Sequence, residues 1–295
     1  MTQQVPLDPS ALADATTDHG VHAVTEDLAY TRLALVNVAF FGPPGAPDRG
    51  WVLVDAGVIG MTARLVAAAA ARFGPASRPA CIILTHGHFD HVGGLPDLAE
   101  RWDAPVYAHP LEHPYLDGSA GYPPPDPGVG GGLMSLLSPL YPRGPIDLGA
   151  RLRPLPADGS VPSMPGWRWL HTPGHAVGQV SLWRESDRTL LAADAFIATA
   201  QESAYAVLTQ APELHGPPMY YTADWELART SVTALAALEP ERAITGHGPA
   251  LQGPELRRSL HALAADFDRL AVPDHGRYAD HPARAADGTG YIRKP

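Results

Sequence analysis

The chain has 295 residues, of which 45% are hydrophobic and 18% charged, a composition typical of a globular protein and unlike that of a disordered one. Its formal net charge of −10 argues against nucleic acid or an anionic membrane as a partner. Its single lysine, Lys294, lies beside the C-terminus. This position excludes Schiff-base chemistry and P-loop phosphate binding, since both need an internal lysine.

The cysteine content and the apolar segments indicate where the protein works. Cys81 is the only cysteine, so no intramolecular disulfide can form and nothing implies an oxidising compartment. The N-terminal residues do not show the basic and apolar pattern of a signal peptide. No stretch approaches the roughly 20 apolar residues needed to cross a bilayer. We therefore expect a soluble, cytoplasmic protein with a small-molecule substrate and no membrane partner, and the sequence leaves a homodimer open.

The first part of the chain alternates predicted strands and helices after an N-terminal arm at residues 1–20, expected to be mobile or loosely docked. Short apolar runs between turn-forming glycines and prolines predict the strands, and alanine-rich or amphipathic segments predict the helices. The predicted strands cover residues 33–41, 51–54, 81–84 and 105–108, and the predicted helices cover residues 61–73 and 97–102.

Residues 110–165 form a predicted insertion of different character. Prolines and glycines at 122–128 and 130–132 prevent long regular elements, although the apolar segment 133–140 is compatible with one or two helical turns. A long irregular segment near a reactive centre is often a lid over the substrate, and the alternative is a structural strap. The apolar residues that favour a lid are Tyr122, Leu133, Met134, Leu136, Leu137 and Tyr141.

Regular elements return in the second half of the chain. The predicted strands cover residues 167–171, 179–183, 189–193 and 242–245, and the predicted helices cover residues 223–238 and 255–270. Two halves that each contain strands followed by helices fit a pair of sheets packed face to face with helices outside. The predicted domain spans residues 21–272, and a C-terminal tail at 273–295 has no predicted position.

One short stretch contains an unusual density of metal-binding side chains. His86, His88, Asp90 and His91 occupy six positions directly after the buried strand predicted at 81–84. Imidazole and carboxylate groups are the ligands of zinc and of harder first-row metals. A polar turn whose histidines only form hydrogen bonds is the alternative, but four such residues in six positions favour the core of a metal site.

Three further residues of the same kind follow predicted strands. His175 comes after the strand at 167–171, Asp194 directly follows the strand at 189–193, and His247 follows the strand at 242–245. Each of them alone would be explained as a polar residue at a strand end. Together with the first cluster they give seven potential ligands at strand termini, enough for two metal ions.

The order of these seven residues resembles the metallo-β-lactamase superfamily, from about residue 33 to residue 270. The resemblance implies an α/β fold, a four-layer αβ/βα sandwich, with a dinuclear metal centre between the sheets. It also implies that Asp55, which ends the strand predicted at 51–54, orients a ligand imidazole by accepting its second N–H. The ligands that the resemblance implies are His86, His88 and His175 for one metal, Asp90, His91 and His247 for the other, and Asp194 as the bridge between them.

The reaction class follows from this implied centre. Two metal ions roughly 3.5–4 Å apart can share a water, lower its pKa toward neutrality and polarise the bond that it attacks. Zinc is the expected metal, with iron and manganese as alternatives. Asp90 is the candidate catalytic residue, because it could carry a proton toward the leaving group. The expected function is a metal-dependent hydrolase that uses hydroxide bound between two metals.

Several branches of the superfamily fit this chain poorly. Asp194 occupies the bridging position, where some zinc β-lactamases have a cysteine and other true β-lactamases lack an aspartate. Glyoxalase II binds glutathione partly through basic residues of a C-terminal helical region, and here that region has no lysine before Lys294. The nuclease branches carry an inserted domain or a tRNA-binding arm that this sequence does not show.

The layout is closest to the lactonase, esterase and organophosphate-hydrolase branches, which predicts a small, mostly apolar ester or lactone as substrate. Acyl-homoserine lactonases usually have a tyrosine shortly after the bridging aspartate, and here residues 195–198 contain none. Tyr205, Tyr220 and Tyr221 are candidates to replace it. The alternatives are a phosphotriesterase, a glyoxalase II-like thioesterase, a mononuclear iron persulfide dioxygenase that uses only the first ligand set, and a binding protein with an inert metal.

Overall fold

The computed structural model describes residues 5–13, 16–18 and 20–293. In this part of the chain the strands are short and most belong to two sheets. In chain order they are β1 (Val5–Pro6), β2 (Thr16–Asp18), β3 (Val21–Ala23), β4 (Leu28–Leu33), β5 (Val36–Phe41), β6 (Val52–Val54), β7 (Cys81–Ile83), β8 (Val106–Ala108) and β9 (Ala120–Gly121). They continue with β10 (Leu152–Pro154), β11 (Trp167–His171), β12 (Val180–Arg184), β13 (Thr189–Ala193), β14 (Glu213–Leu214), β15 (Arg242–Thr245), β16 (Leu251–Gln252) and β17 (Ile292–Arg293).

Four of the α-helices are long enough to cover a sheet, and the others have four to six residues each. They are α1 (Thr62–Phe73), α2 (Phe89–Val92), α3 (Leu95–Trp102), α4 (His113–Leu116), α5 (Leu133–Leu137), α6 (Ala204–Thr209), α7 (Trp225–Ala236), α8 (Gly253–Ala265), α9 (Phe267–Leu270) and α10 (Arg277–Asp280). Short 3-10 helices occupy Pro9–Ala11, Pro110–Glu112, Ser138–Leu140, Gly149–Arg151, Glu185–Asp187 and Met219–Tyr221.

The two main sheets divide the chain into halves. The first sheet has the strand order β10-β8-β7-β6-β5-β4-β3-β2, with parallel pairing from β6 to β10 and antiparallel pairing elsewhere. The second has the order β11-β12-β13-β15-β16, in which only β13 and β15 are parallel. One hydrophobic cluster joins side chains of both sheets, among them Val54 and Ile83 of the first and Leu182 and Ile244 of the second. The sheets therefore pack face to face.

Helices cover the outer face of each sheet. A second hydrophobic cluster packs α1 and α3 against the first sheet, and a third packs α7 and α8 against the second. In α1 the buried residues Leu65, Ala69 and Phe73 recur at a spacing of four, which is the pattern of one helix face. This gives four layers in the order helix, sheet, sheet, helix, and the predicted αβ/βα sandwich is confirmed.

The strand predicted at 33–41 is right for residues 36–41 but wrong in its extent. The segment 33–41 is the end of β4, a tight turn and the whole of β5, and the two strands pair from Leu33 with Val36 to Leu28 with Phe41. Ala34 takes the left-handed conformation with φ 59° at the turn. The apolar run continues through this turn with no glycine, proline or aspartate to mark it, so the pattern alone predicts one strand.

The segments outside the predicted domain pack on the sandwich where they are described. β1 pairs with β14, and Leu12 forms an isolated bridge with Leu251, so the described part of the arm contacts the second half of the chain. In the tail, β17 pairs with β9 of the insertion. The insertion itself supplies β10 to the first sheet. The division into arm, domain and tail stays a prediction. No helix in the described residues has the length and apolar character that a membrane crossing requires.

Candidate metal centre

The two sheets bring all seven predicted ligands together at one edge. His86 lies three residues after β7, and α2 presents Asp90 and His91 one turn later. His88 lies between His86 and α2, and the loops after β11, β13 and β15 carry His175, Asp194 and His247. All seven side chains are buried, and Asp90, at 6%, is the most exposed. Their ligand atoms form three groups with all distances within 4.8 Å, which are His86, His88 and His175, then His86, His91 and Asp194, and finally Asp90, His91 and His247.

Two imidazoles of the first group contact neighbouring hydroxyl groups, and a further contact joins two members of the group. His88 Nδ1 lies 2.9 Å from His175 Nε2. His86 Nδ1 contacts the Thr85 hydroxyl at 3.1 Å, and His175 Nδ1 contacts the Thr222 hydroxyl at 3.2 Å. Because the Nδ1 atoms of His86 and His175 are engaged, their Nε2 atoms are left for the centre of the cluster.

Asp194 lies between the two halves of the cluster. Its Oδ2 atom is 3.1 Å from His247 Nε2, 3.4 Å from His175 Nε2 and 3.6 Å from His91 Nε2. His247 Nε2 is also 3.5 Å from Asp90 Oδ2. One carboxylate oxygen therefore reaches residues of both implied ligand sets, which is the position that a bridging ligand needs.

Asp55 connects the first sheet to two of the imidazoles. Its Oδ2 atom lies 2.8 Å from His91 Nδ1, so the predicted contact with a cluster imidazole is confirmed. Asp55 also accepts hydrogen bonds from the Thr85 backbone N–H and hydroxyl, both at 2.8 Å, and this hydroxyl contacts His86. The residue has φ 64°, a conformation that aspartate tolerates better than most residues. One carboxylate thus fixes His91 directly and His86 through Thr85.

The turn that the sequence did not reveal orients a third imidazole. The Leu35 carbonyl, in the turn between β4 and β5, lies 2.7 Å from His247 Nδ1. Asn37, at the start of β5, donates its side-chain N–H groups to the carbonyls of Thr245 and Gly248 at 2.9 and 2.7 Å. The first sheet therefore holds the loop of the second sheet that carries His247.

Three buried polar atoms of the cluster have no hydrogen-bond partner among the described residues, namely His86 Nε2, His91 Nε2 and Asp194 Oδ1. An unpaired buried polar atom costs roughly 1–3 kcal/mol, so such atoms are rare without a ligand. A divalent metal ion accepts imidazole nitrogen and carboxylate oxygen together. The donor set and its unpaired atoms therefore fit metal ions.

The pKa values of three groups in the cluster favour metal binding, whereas at His91 and His247 the charge of Asp194 outweighs burial and raises the pKa. Burial lowers the pKa of His86 and of His88 well below the usual value, which leaves both imidazoles neutral. Burial alone would raise the pKa of Asp194, but the charges of His247 and His91 outweigh it, and that pKa lies well below its usual value. Neutral imidazole and ionised carboxylate are the forms that bind metal.

A narrow recess lies beside His88 and His175. Its volume is about 10 Å³, room for roughly one water molecule. Tyr122 of the insertion, Tyr221 and Tyr278 of the tail contribute aromatic walls. The Tyr221 ring stacks on His88 with centroids 4.6 Å apart, and its buried hydroxyl has no hydrogen-bond partner among the described residues. A larger cavity of about 330 Å³ lies along Gly87, Phe89 and Arg143.

The residues predicted to form a lid fall into two sets. Tyr122 lines the recess, and Tyr141 stacks on Phe89 with centroids 5.1 Å apart. Leu133, Leu136 and Leu137 are exposed to solvent and do not line the recess, so their role in a lid stays a prediction. They lie on α5, a helix of only five residues, and its other side packs Met134 on the second sheet.

Among the tyrosines considered as replacements after Asp194, Tyr205 is 75% exposed and Tyr220 is buried in the core of the second half. Tyr221 alone of the three lines the recess.

Glu112 is a buried residue near the cluster that the sequence did not reveal. It lies in the irregular insertion, between two histidine–proline pairs, and no recurring pattern distinguishes it from the surface acids. Its carboxylate contacts the backbone of Gly87, between His86 and His88. The signal that could have found it is an acidic residue in a segment that otherwise has aromatic and apolar character.

Comparisons with known proteins agree with this geometry. A family model described as the metallo-beta-lactamase superfamily matches residues 34–247. The probable metallo-hydrolase YflN of Bacillus subtilis (strain 168) is 45% identical over 245 residues, which cover 83% of this chain and 90% of that protein. The crystal structure of TTHA1623 in a di-iron-bound form is 25% identical, with a TM-score of 0.50, over 80% of this chain and 95% of that one. A B3 metallo-beta-lactamase with an active-site glutamic acid is 19% identical, with a TM-score of 0.57, over 91% and 96% of the two chains.

Proposed function

Because this chain belongs to the metallo-β-lactamase superfamily, we propose that it is a hydrolase that holds two divalent metal ions and cleaves a small, mostly apolar ester or lactone. The observation that carries the proposal is the group of buried ligand atoms of His86, His91 and Asp194, all within 4.8 Å of one another. Three atoms of these residues, His86 Nε2, His91 Nε2 and Asp194 Oδ1, have no hydrogen-bond partner among the described residues.

The residues divide between the two ions as their distances suggest. His86, His88 and His175 would hold one ion, and Asp90, His91 and His247 the other, with Asp194 shared. Zinc is the proposed metal, with iron and manganese as alternatives, and the di-iron form of TTHA1623 is a reason to test iron. Such ions, when bound, polarise a carbonyl oxygen and lower the pKa of water.

Asp90 is the residue that we assign to proton transfer. Burial raises its pKa, although the charges of His91 and His247 oppose this shift. A carboxylate with a raised pKa can take a proton at an Oδ atom during attack and give it to the leaving oxygen. The Tyr221 hydroxyl, which lines the recess, would donate a hydrogen bond to the substrate carbonyl. The aromatic walls around it would exclude water.

The walls of the recess support an uncharged substrate. Tyr122, Tyr221, Ala176 and Val177 are mainly apolar, so the surroundings of His88 and His175 favour an uncharged group next to the first ligand set. An anionic phosphodiester would need arginine side chains as hydrogen-bond donors. Of the arginines that could serve, Arg151 and Arg153 are exposed, and Arg143 lines the larger cavity instead of the recess.

We expect about two equivalents of metal per chain in protein purified without chelator, because the cluster offers a complete ligand set for each ion. Elemental analysis measures both the quantity and the identity of the metal. Removal of the metal by a chelator should abolish hydrolysis. Adding the metal back should restore it. A single tightly held iron together with persulfide oxygenation would overturn the proposal and favour the mononuclear dioxygenase.

The substrate class makes a separate prediction. In a panel of lactones, aryl esters, thioesters, phosphodiesters and phosphotriesters, we expect the highest kcat/KM for a lactone or an ester with an apolar acyl group. Steady-state kinetics at matched metal content ranks the panel. A glutathione thioester or a phosphodiester that exceeds every lactone and ester would contradict the assigned class, even if the metal content is as expected.

A further inference from the structure

Glu112 is fully buried and accepts hydrogen bonds from two separate loops. Its Oε2 atom accepts from the Gly87 N–H at 2.9 Å, and its Oε1 atom accepts from the Gly178 N–H at 2.7 Å. The Tyr122 hydroxyl donates to Oε2 as well. No ion pair involves Glu112 among the residues that the structure describes. Three neutral donors therefore compensate its charge.

The two backbone donors belong to the loops that carry one implied ligand set. Gly87 lies between His86 and His88, in the loop after β7 of the first sheet. Gly178 lies three residues after His175, just before β12 of the second sheet. One carboxylate from the insertion thus joins the loops of two different sheets.

The space around Glu112 is closed at both glycines. A Cβ atom at Gly178 would lie 2.9 Å from the backbone nitrogen, Cγ and Oε1 of Glu112. A Cβ atom at Gly87 would lie 3.1 Å from the Tyr122 hydroxyl and 3.4 Å from Glu112 Oε2. The absence of a side chain at both positions lets the carboxylate reach the two N–H groups.

A carboxylate fits the contact best, although the Gly87 N–H also donates to the Tyr122 hydroxyl at 2.9 Å. Each of its two oxygens accepts a backbone N–H, whereas a glutamine amide offers one accepting oxygen and would direct an NH₂ group at the other N–H. Aspartate is one methylene shorter and cannot span both loops from the same backbone position. Burial raises the pKa of Glu112 to about 7, although its three donors lower it, so the ionised form is favoured at pH 8.

We propose, building on the metal centre proposed above, that Glu112 is a positioning residue that sets the distance between the His86–His88 loop and the His175 loop. By holding these two loops it fixes the geometry of the first ligand set. Among the described residues no hydrogen bond or ion pair joins it to an implied ligand side chain, and it acts through the backbone of Gly87 and Gly178.

Metal affinity tests this role. We expect Glu112→Gln to weaken zinc binding about 10–100-fold in a chelator competition at pH 8, the range found when groups that orient metal ligands are lost. Weaker zinc binding should also lower kcat when zinc is limiting, and excess zinc should restore part of that activity. Glu202→Gln is the matched control, since Glu202 is also buried and accepts a backbone N–H at 2.7 Å, but from Met219, which lies outside the ligand-bearing loops. Its zinc affinity should stay within about twofold of wild type.

Gly178→Ala provides a second variant if Glu112→Gln does not fold. It keeps the carboxylate but places a methyl group against it, and the expected loss of zinc affinity has the same direction. Wild-type protein that takes up no metal would contradict the proposed centre. If wild type binds two equivalents and Glu112→Gln or Gly178→Ala binds zinc as tightly, the role of Glu112 is contradicted while the metal centre stands. The role is also contradicted if Glu202→Gln loses as much zinc affinity as Glu112→Gln.

Discussion

Replacing Asp90 by asparagine is expected to lower kcat about 10²–10⁴-fold, the usual contribution of a positioned acid or base. Asparagine keeps the shape of the side chain but removes its ability to carry a proton. Because Asp90 Oδ2 also lies 3.5 Å from His247 Nε2, the variant should lose some affinity for the metal of that set. Steady-state kinetics with the metal content measured in the same sample separates the two effects.

Two further variants serve as a control and a comparison for Asp90→Asn. Asp224 is another buried aspartate, whose side chain accepts the Leu227 N–H at 3.0 Å at the start of α7. Asp224→Asn should reduce thermal stability with little change in kcat. His175→Ala should lose turnover together with metal while the far-ultraviolet circular dichroism is kept. Unchanged hydrolysis by an Asp90→Asn protein with full metal content would remove Asp90 from the mechanism.

Gly246→Ala is expected to have the second large effect. A Cβ atom at this position would lie 1.8 Å from Asp194 Oδ1 and 3.1 Å from His91 Cε1, both buried in the cluster. Asp194 must then turn away from the imidazoles that it contacts. We expect about 1–3 kcal/mol of lost stability from the overpacking, and the bound metal should fall well below two equivalents. Thermal unfolding and elemental analysis measure the two effects.

Gly128→Ala is a suitable control for that substitution. Its Cβ atom would meet only the Asp126 side chain, at 3.2 Å, in a partly exposed loop of the insertion. Metal content and activity should stay at wild-type values. If Gly246→Ala binds two equivalents and turns over normally, the tight position assigned to Asp194 is wrong.

The fold could be predicted because the ligand residues follow closely after strand ends, so one sequence pattern indicates both. The apolar runs that precede the cluster residues form short strands, and strands that run in the same direction place those residues at one edge of the sandwich. His86, His175 and His247 come together for this reason. Asp55 was also predictable, since it ends the strand beside the one that leads to His86.

The errors have a common physical origin, because they concern tertiary contacts that leave no local pattern. The turn at Ala34 and Leu35 carries no turn residue, and its shape is fixed by contacts with the loop after β15. The exposure of Leu133 and Leu136 was not evident from their apolar character, because a helix of five residues cannot bury all its apolar side chains. In the sequence Glu112 resembles a surface acid, and only the folded structure brings the loops of Gly87 and Gly178 close to it.

The origin of the cluster in both sheets has a thermodynamic consequence. Four of its residues follow β7 in the first sheet, and the other three follow strands of the second. Each proposed ion takes ligands from both sheets and binds them only while the two sheets face each other, so its binding energy adds to the energy of holding the halves together. At a free concentration 1,000 times the dissociation constant, one such ion contributes about 4 kcal/mol to the free energy of unfolding. The resistance of this chain to unfolding would then follow the metal supply of its surroundings.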